Sequence, residues 1–378
     1  MNVYFDNAAT TKVCEESIEA MVTLMRENYG NPSSTHYMGR QAAEMLGTAR
    51  ANIAATLGAP FESIYFTSGG TEANNWAVLG LAKLLERKGK HIITSMIEHD
   101  AVYESCKKLE SLGWEVTYLF PDNSGRIPCE DFTEALREDT AFASIMLINN
   151  ETGAENPIRE YSNEIKRRGF KTLLHTDAVQ GFCKTPISVK TLGADLLAVS
   201  AHKIHGPKGV GALYISKGVN LPQAQLGGGQ ENSKRPGTEA LPAIVGFGEA
   251  ALIGGRTLSE TAESVSGIRS RVVSRLKSEL PDTVVIGGGD SPYLLSLSLP
   301  GHKSEVIMSF MESEGICVSK SSACKKGARS RVLESMRLHN SVVDGAIRVS
   351  FSKYSTTHEA DFFVDILKLA SEKLFKAL

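Results

Sequence analysis

From about residue 60 onward, short runs of β-branched and aromatic residues alternate with amphipathic segments of helical period. The runs predict strands over residues 63–67, 91–95, 115–120, 144–149, 172–176, 196–200 and 210–215. Several are continuously apolar, as in Ile145-Met146-Leu147-Ile148, the pattern of a strand covered on both faces. Helical patterns fill most of the gaps. Residues 73–87 carry Trp76, Leu79 and the run from Ala82 to Leu85, and residues 160–168 stop at Gly169. Such alternation predicts a mostly parallel sheet covered by helices, an α/β fold. After a long helical stretch at 240–253 the texture changes. Gly287-Gly288-Gly289 leads into a strand at 293–299, a helix at 304–314, a strand at 316–319 and a basic loop. That stretch predicts a smaller α+β domain. The expected division gives residues 16–255 to the large domain and residues 1–15 with 256–378 to the small one.

Length agrees with this division, since 378 residues at about 150 per domain make two to three domains. Hydrophobic residues make up 42% and charged residues 22%, ordinary values for a soluble globular chain. Lys and Arg number 41 against 43 Asp and Glu, a formal net charge of −2. So even a balance offers no electrostatic footprint for nucleic acid or an anionic membrane. No run approaches the ~18 apolar residues of a membrane helix. The start, Met1-Asn2-Val3-Tyr4-Phe5-Asp6, lacks the basic and apolar regions of a signal peptide. A cytoplasmic enzyme or binding protein is expected. Cysteines 14, 106, 129, 183, 317 and 324 contain no Cys-x-x-Cys pair and are expected as reduced thiols, most of them buried; Cys317 in particular is expected in the core.

In parallel sheets a ligand lies beyond the carboxyl ends of the strands, and the polar and Gly-rich segments of this chain fall there. Thr67-Ser68-Gly69-Gly70-Thr71-Glu72 follows the first strand. Its glycines allow close backbone approach, and the helix behind them offers free N–H groups to a phosphate. The alternative is an ordinary turn with Thr71 as N-cap. Asp177 emerges from an apolar strand and needs a cationic partner, either a protonated pyridine nitrogen or a structural arginine. Lys203, in Ser200-Ala201-His202-Lys203 ahead of a Gly206-Pro207 turn, can be desolvated, and the lowered amine pKa suits imine chemistry. His202 and His205 have i, i+3 spacing, but no third ligand is in view and no metal is expected. The glycine runs at 227–229 and 287–289 lack the strand-to-helix context of a dinucleotide site. A phosphate turn, a ring that can stack in Glu98-His99, an Asp and a Lys at successive strand ends together match the needs of pyridoxal phosphate.

Over nearly its whole length the chain resembles the cysteine desulfurases, within the class V aminotransferase family. The resemblance rests on Tyr4-Phe5-Asp6-Asn7-Ala8-Ala9-Thr10-Thr11, Gly30-Asn31-Pro32-Ser33-Ser34, the Thr67–Asn75 segment, Glu98-His99 and Asn149-Asn150-Glu151-Thr152-Gly153. It continues through Asp177 with Gln180, Ser200-Ala201-His202-Lys203, Gly206-Pro207-Lys208-Gly209, Gly227-Gly228-Gly229-Gln230-Glu231 and Arg235-Pro236-Gly237-Thr238, then Ser321-Ser322-Ala323-Cys324 and Ile347-Arg348-Val349-Ser350. The resemblance implies fold-type-I architecture with a seven-stranded, mostly parallel sheet, and a homodimer with its sites at the subunit interface. It implies pyridoxal 5'-phosphate bound through Lys203 as an imine, with Asp177 at the ring nitrogen and Gln180 at the ring hydroxyl. His99 would stack on the ring and shuttle protons. Gly70, Thr71, Ser200 and His202 would hold the phosphate, joined by Thr238 from the partner subunit. Arg348 and Asn150 would bind the carboxylate of L-cysteine, and the Cys324 thiolate would take its sulfur, leaving L-alanine and a persulfide.

The implied sulfur acceptor belongs to iron–sulfur cluster assembly, tRNA thiolation or cofactor biosynthesis. A selenocysteine lyase or another pyridoxal-phosphate-dependent β-lyase or aminotransferase is the alternative on the same scaffold. Two departures stand out. Gln230 replaces a histidine found in many relatives, and Cys324 is followed by Lys325-Lys326-Gly327-Ala328-Arg329-Ser330-Arg331, more basic than the Ser/Thr-rich loops of relatives. That loop is expected either to dock an acidic scaffold protein or to form a solvated basic surface, and its cations should favour the Cys324 thiolate.

Overall fold

The computed structural model describes residues 2–320 and 329–375. Its strands are β1 (Val3–Tyr4), β2 (Ile64–Thr67), β3 (His91–Ser95), β4 (Glu115–Leu119), β5 (Thr140–Ser144), β6 (Leu173–Asp177) and β7 (Leu196–Ser200). They continue as β8 (Gly211–Ile215), β9 (Val284–Ile286), β10 (Leu294–Ser298), β11 (Ile316–Cys317), β12 (Ser319–Lys320) and β13 (Ala346–Ser350). Seven of them form one sheet in the order β2-β8-β7-β6-β5-β3-β4. The pairs from β4 through β7 are parallel, and β8 runs antiparallel to both of its neighbours.

Alternate residues of one strand feed opposite cores. Ile93, Leu197 and Val199 join the cluster that contains Phe132 and Phe247, whereas Ile92, Leu196 and Ala198 join the one that contains Trp76 and Leu81. Two-sided burial explains why these strands read as unbroken apolar runs. Helix α1 (Glu15–Glu27) and helix α2 (Tyr37–Leu57) precede the sheet; α3 (Gly70–Leu85) follows β2 and α4 (Asp100–Ser111) follows β3.

A second, antiparallel sheet runs β12-β13-β10-β9. Its inward residues Leu295, Leu297, Ile347 and Val349 pack with Val265 and Phe363 from helices Leu258–Glu279 and Thr357–Lys373. The start of the chain crosses to this part of the molecule. Strand β1 pairs in parallel with β11, and Asp6 bridges Ser350. Ser350 Oγ accepts from Ala8 N (2.8 Å), and Asn7 Nδ2 donates to Ser350 O (2.9 Å). Phe5 therefore lies in the small-sheet core while Ala8, three residues on, lies in the large-sheet core.

Two sequence expectations are corrected here. The strand expected at 144–149 is displaced upstream to β5, because pairing with β3 starts at Thr140. The apolar run behind it still bonds to β6, through Ile145 N to His175 O and Leu147 N to Asp177 O, and stays buried outside the regular strand. The strand expected at 316–319 splits into β11 and β12, which belong to different sheets. Cys317 is exposed, not core: on this short strand Ile316 takes the inward position, so the next residue faces out. Cys14 and Cys106 are buried, Cys129 and Cys183 are partly buried, and Cys324 lies outside the described residues.

Candidate active site

Because β2, β3, β5, β6 and β7 run in one direction, the loops leaving their carboxyl ends meet. There they line a cavity of about 530 Å³. Gly70, Thr71, His99, Asn150, Asp177, Gln180, Ser200, His202, Lys203 and Arg348 all reach it. Thr238 does not. It is exposed, beside a separate hollow near Arg235 and Glu231.

At one end the cavity has the features of an anion site. Helix α3 is capped by Gly69, with φ of 154°, and among the described residues no side chain caps its first N–H groups. Thr71 is thus the second helical residue rather than the N-cap. A Cβ on Gly70 would sit 2.9 Å from Val179 Cγ2, so only glycine leaves the cradle open. Ser200 Oγ is buried without a partner. Burial, aided by the nearby Lys203 charge, lowers His202 to about 4, so its ring is neutral and donates through one nitrogen.

The floor is built on buried polar groups. Asp177 accepts from Asn74 Nδ2 (2.6 Å) and from the backbone N–H of Val179 (2.9 Å). Among the described residues no arginine or lysine lies within ion-pair distance of it, so the structural-arginine alternative drops out. An acceptor held this way suits a ring N–H⁺. Lys203 leaves β7 on a short 3₁₀ turn, and its Nζ donates to Ala8 O and Ala9 O, 2.7 Å each. His99 caps α4, its Nδ1 accepting from Ala101 N (3.1 Å), which anchors the ring at the cavity edge. An unsatisfied helix start, an unpartnered buried hydroxyl, a carboxylate without a cation and a buried-side lysine together fit pyridoxal phosphate.

The other end is cationic. Arg348 is the outward residue between Ile347 and Val349 on β13; it is buried, and its guanidinium donates to Asn150 O (2.9 Å) and Asp6 Oδ1 (3.0 Å). Asn150 meets it through the backbone, not the side-chain amide. Arg331 lies over the Tyr103 ring at 3.6 Å and donates to Glu98 O (2.6 Å) and Asp100 Oδ1 (3.1 Å). Arg329 pairs with Asp344 and Asn340. Both arginines of the basic loop are therefore engaged within the chain, and Lys325 and Lys326 lie outside the described residues. His202 and His205 do not form a metal pair: His202 meets Thr10, whereas His205 turns to Lys12 O. Among the described residues no cluster of His, Cys, Asp or Glu could hold a metal ion.

A family model for class-V aminotransferases matches residues 3–363. A cysteine desulfurase IscS from Dictyoglomus turgidum is 41% identical over 376 residues, 98% of this chain and 95% of that protein. The chain belongs to the cysteine desulfurase family of class-V aminotransferases. It is a pyridoxal-phosphate-dependent enzyme of fold type I. Among solved structures, a NifS-like protein matches with a TM-score of 0.94 at 38% identity, over 99% of this chain and 100% of that one. SspA in complex with cysteine matches with a TM-score of 0.83 at 33% identity, over 94% and 100%.

In the sequence of this cysteine desulfurase, Glu98 and Glu151 stand out only as parts of motifs. Both are buried in the cavity wall. Burial pushes Glu98 up to about 8, although Ser95 Oγ and Met146 N donate to it. Glu151 accepts from Ser330 Oγ, which ties the segment after residue 328 to the cavity, and burial pushes its carboxyl up to about 7. An acid whose folded pKa lies above its ordinary value keeps a proton in the fold that the unfolded chain releases. Glu151 thus lowers stability progressively as pH rises from about 4.5 to about 7. Glu151→Gln is expected to gain on wild type through that window, by on the order of 2–3 kcal/mol above it. Urea midpoints measured across pH read the difference, and a gap that does not change with pH would overturn the assignment.

Proposed function

We propose that this enzyme converts L-cysteine to L-alanine and passes the sulfur to Cys324 as a persulfide, for delivery to an acceptor protein. One observation carries the reading: Arg329 and Arg331, five and seven residues beyond Cys324, line the same cavity as Lys203, Asp177 and Arg348. Five residues of chain span at most about 17 Å, so we take Cys324 as the nucleophile for a substrate held there. Bound pyridoxal phosphate supplies an electron sink that labilises the bonds of a joined amino acid.

The protein's own residues do the rest. The α3 start, Ser200 and neutral His202 would hold the phosphate, and Asp177, fixed by Asn74, would keep a ring nitrogen protonated. Arg348 takes the substrate carboxylate with its guanidinium, already oriented by Asn150 O and Asp6. Lys203 would hold the cofactor through its amine, and His99, anchored at the cavity edge, would move the substrate proton. The Cys324 thiolate attacks the substrate sulfur. An S–S bond forms, the C–S bond breaks, its electron pair passes to the substrate carbon framework, and protonation there gives alanine.

Thr238, exposed on a loop away from its own chain's cavity, would complete the phosphate site of a second copy in a homodimer; Leu226 on the same loop is 93% exposed. The division into residues 16–255 and 1–15 with 256–378 is proposed on the two separate sheets. Among the described residues no helix is long and apolar enough to cross a membrane, and we place the enzyme in the cytoplasm. The loaded enzyme, given L-cysteine and a thiol reductant, should release alanine and sulfide in equal amounts, with sulfide dependent on the reductant. Pyruvate with ammonia in place of alanine would assign a β-lyase instead.

A further inference from the structure

Behind the cavity floor lies a side chain that the reaction as derived does not use. Lys184 follows Gln180 by one turn of a tight loop after β6, and both are buried, 9% and 3% exposed. Lys184 Nζ donates to Gln180 Oε1 (3.0 Å), and Gln180 Nε2 donates to Ala8 O (2.9 Å). The same Ala8 carbonyl accepts from Lys203 Nζ at 2.7 Å. The two lysines also line one small hollow beneath the cavity, with Tyr293 and Phe351.

An amide has two unlike ends, and this arrangement satisfies only one orientation of Gln180. Turned over, its oxygen would face the Ala8 carbonyl, acceptor against acceptor, and its NH₂ would face the Lys184 donors. Nε2 has two N–H groups and Ala8 uses one, so the second is left for the cavity that Gln180 lines. We propose that Lys184 is a positioning residue that locks the amide of Gln180 with its N–H end toward the cofactor's ring oxygen. This rests on the reading that Gln180 stands at the ring hydroxyl. A donor there favours the ionised ring oxygen, and an amide oxygen there would favour the protonated one. Burial, with Lys203 and Arg348 nearby, lowers the Lys184 amine to about 7; the other groups around it are Cys183, His202, His205 and the Tyr293 ring face. Charged, the amine can only donate and excludes the turned-over amide; neutral, it still donates to Gln180 but gains a lone pair, and the Ala8 carbonyl then carries the discrimination between the two orientations.

The ring oxygen's protonation is visible. The ionised form of the lysine-bound cofactor absorbs near about 420 nm, and the protonated form absorbs in the near ultraviolet. Loaded Lys184→Met, normalised to total cofactor released by alkali, should show several-fold transfer of intensity from the visible band to the near-ultraviolet one. Lys184→Gln, which keeps a donor, should recover most of the visible band, an effect that lost packing alone would not produce. Gln180→Met serves as the control and should show the same transfer. A wild-type spectrum for Lys184→Met beside a shifted Gln180→Met would overturn the role of Lys184 alone. An equal loss of the visible band in Lys184→Met and Lys184→Gln would also overturn it. An unshifted Gln180→Met would overturn the placement of Gln180 at the ring, and the lock with it.

Discussion

Replacing Lys203 with alanine is expected to give a folded protein that lacks the visible band near about 420 nm and turns over L-cysteine roughly 10⁴-fold or more slowly. Lys203 is the amine set by β7 at the cavity floor, and its Nζ is held by Ala8 O and Ala9 O. Lys184, the other amine of the floor, is committed to Gln180 one turn away and cannot take its place. The fold should survive, because truncation removes a polar tip that faces a cavity, and water entering there can satisfy the two carbonyls. Absorbance after incubation with pyridoxal phosphate, with alanine formation measured alongside, tests this directly. A variant that stays yellow and active would show that another amine carries the cofactor.

Cys324→Ala should behave in the opposite way: full colour, normal spectral response to L-cysteine, and alanine and sulfide release reduced by roughly 10³-fold or more. Arg348, Asp177 and Lys203 are untouched by this change, so binding and activation of the substrate persist. The sulfur simply has no thiolate to accept it. Pairing the spectrum with product release separates this outcome from misfolding, which would remove colour as well. Wild-type alanine release from the variant, or pyruvate in its place, would remove Cys324 from the role of nucleophile.

Much of the site was legible because strand ends carry chemistry and this chain marks them with unusual residues. Gly69-Gly70, Asp177 and Ser200-Ala201-His202-Lys203 are local departures from apolar runs, and six of the seven large-sheet strands fall where those runs predict. The seventh was displaced because the run 145–148 is apolar for burial behind β5 and β6, and hydrophobicity alone does not say where β3 pairing stops. Glu98, Glu151, Asn74 and Lys184 were not legible as site residues. Asn74 and Glu151 owe their environments to partners far away in sequence, Asp177 and Ser330, whereas Glu98 and Lys184 are set by burial together with near neighbours, and no local pattern announces a buried polar pair. Helix Leu258–Glu279 was missed for a different reason. It starts two residues after helix Leu241–Arg256 ends, without a glycine or proline between them, so the boundary carries no punctuation.

The crossing of the N-terminal segment between the two sheets bears on how the enzyme is made. Lys203 takes its two carbonyl partners from Ala8 and Ala9, and Ala8 is seated in turn by Ser350 across a separation of 342 residues. On the ribosome the first ten residues emerge early yet have no finished docking surface until β13 has been synthesised. Contacts of such long range form late and slowly. During that interval the nascent chain can build its large sheet around Lys203 but cannot close the floor beneath it. A chain that stops before β13 would therefore carry the reactive lysine without the Ser350 contact that seats its Ala8 partner.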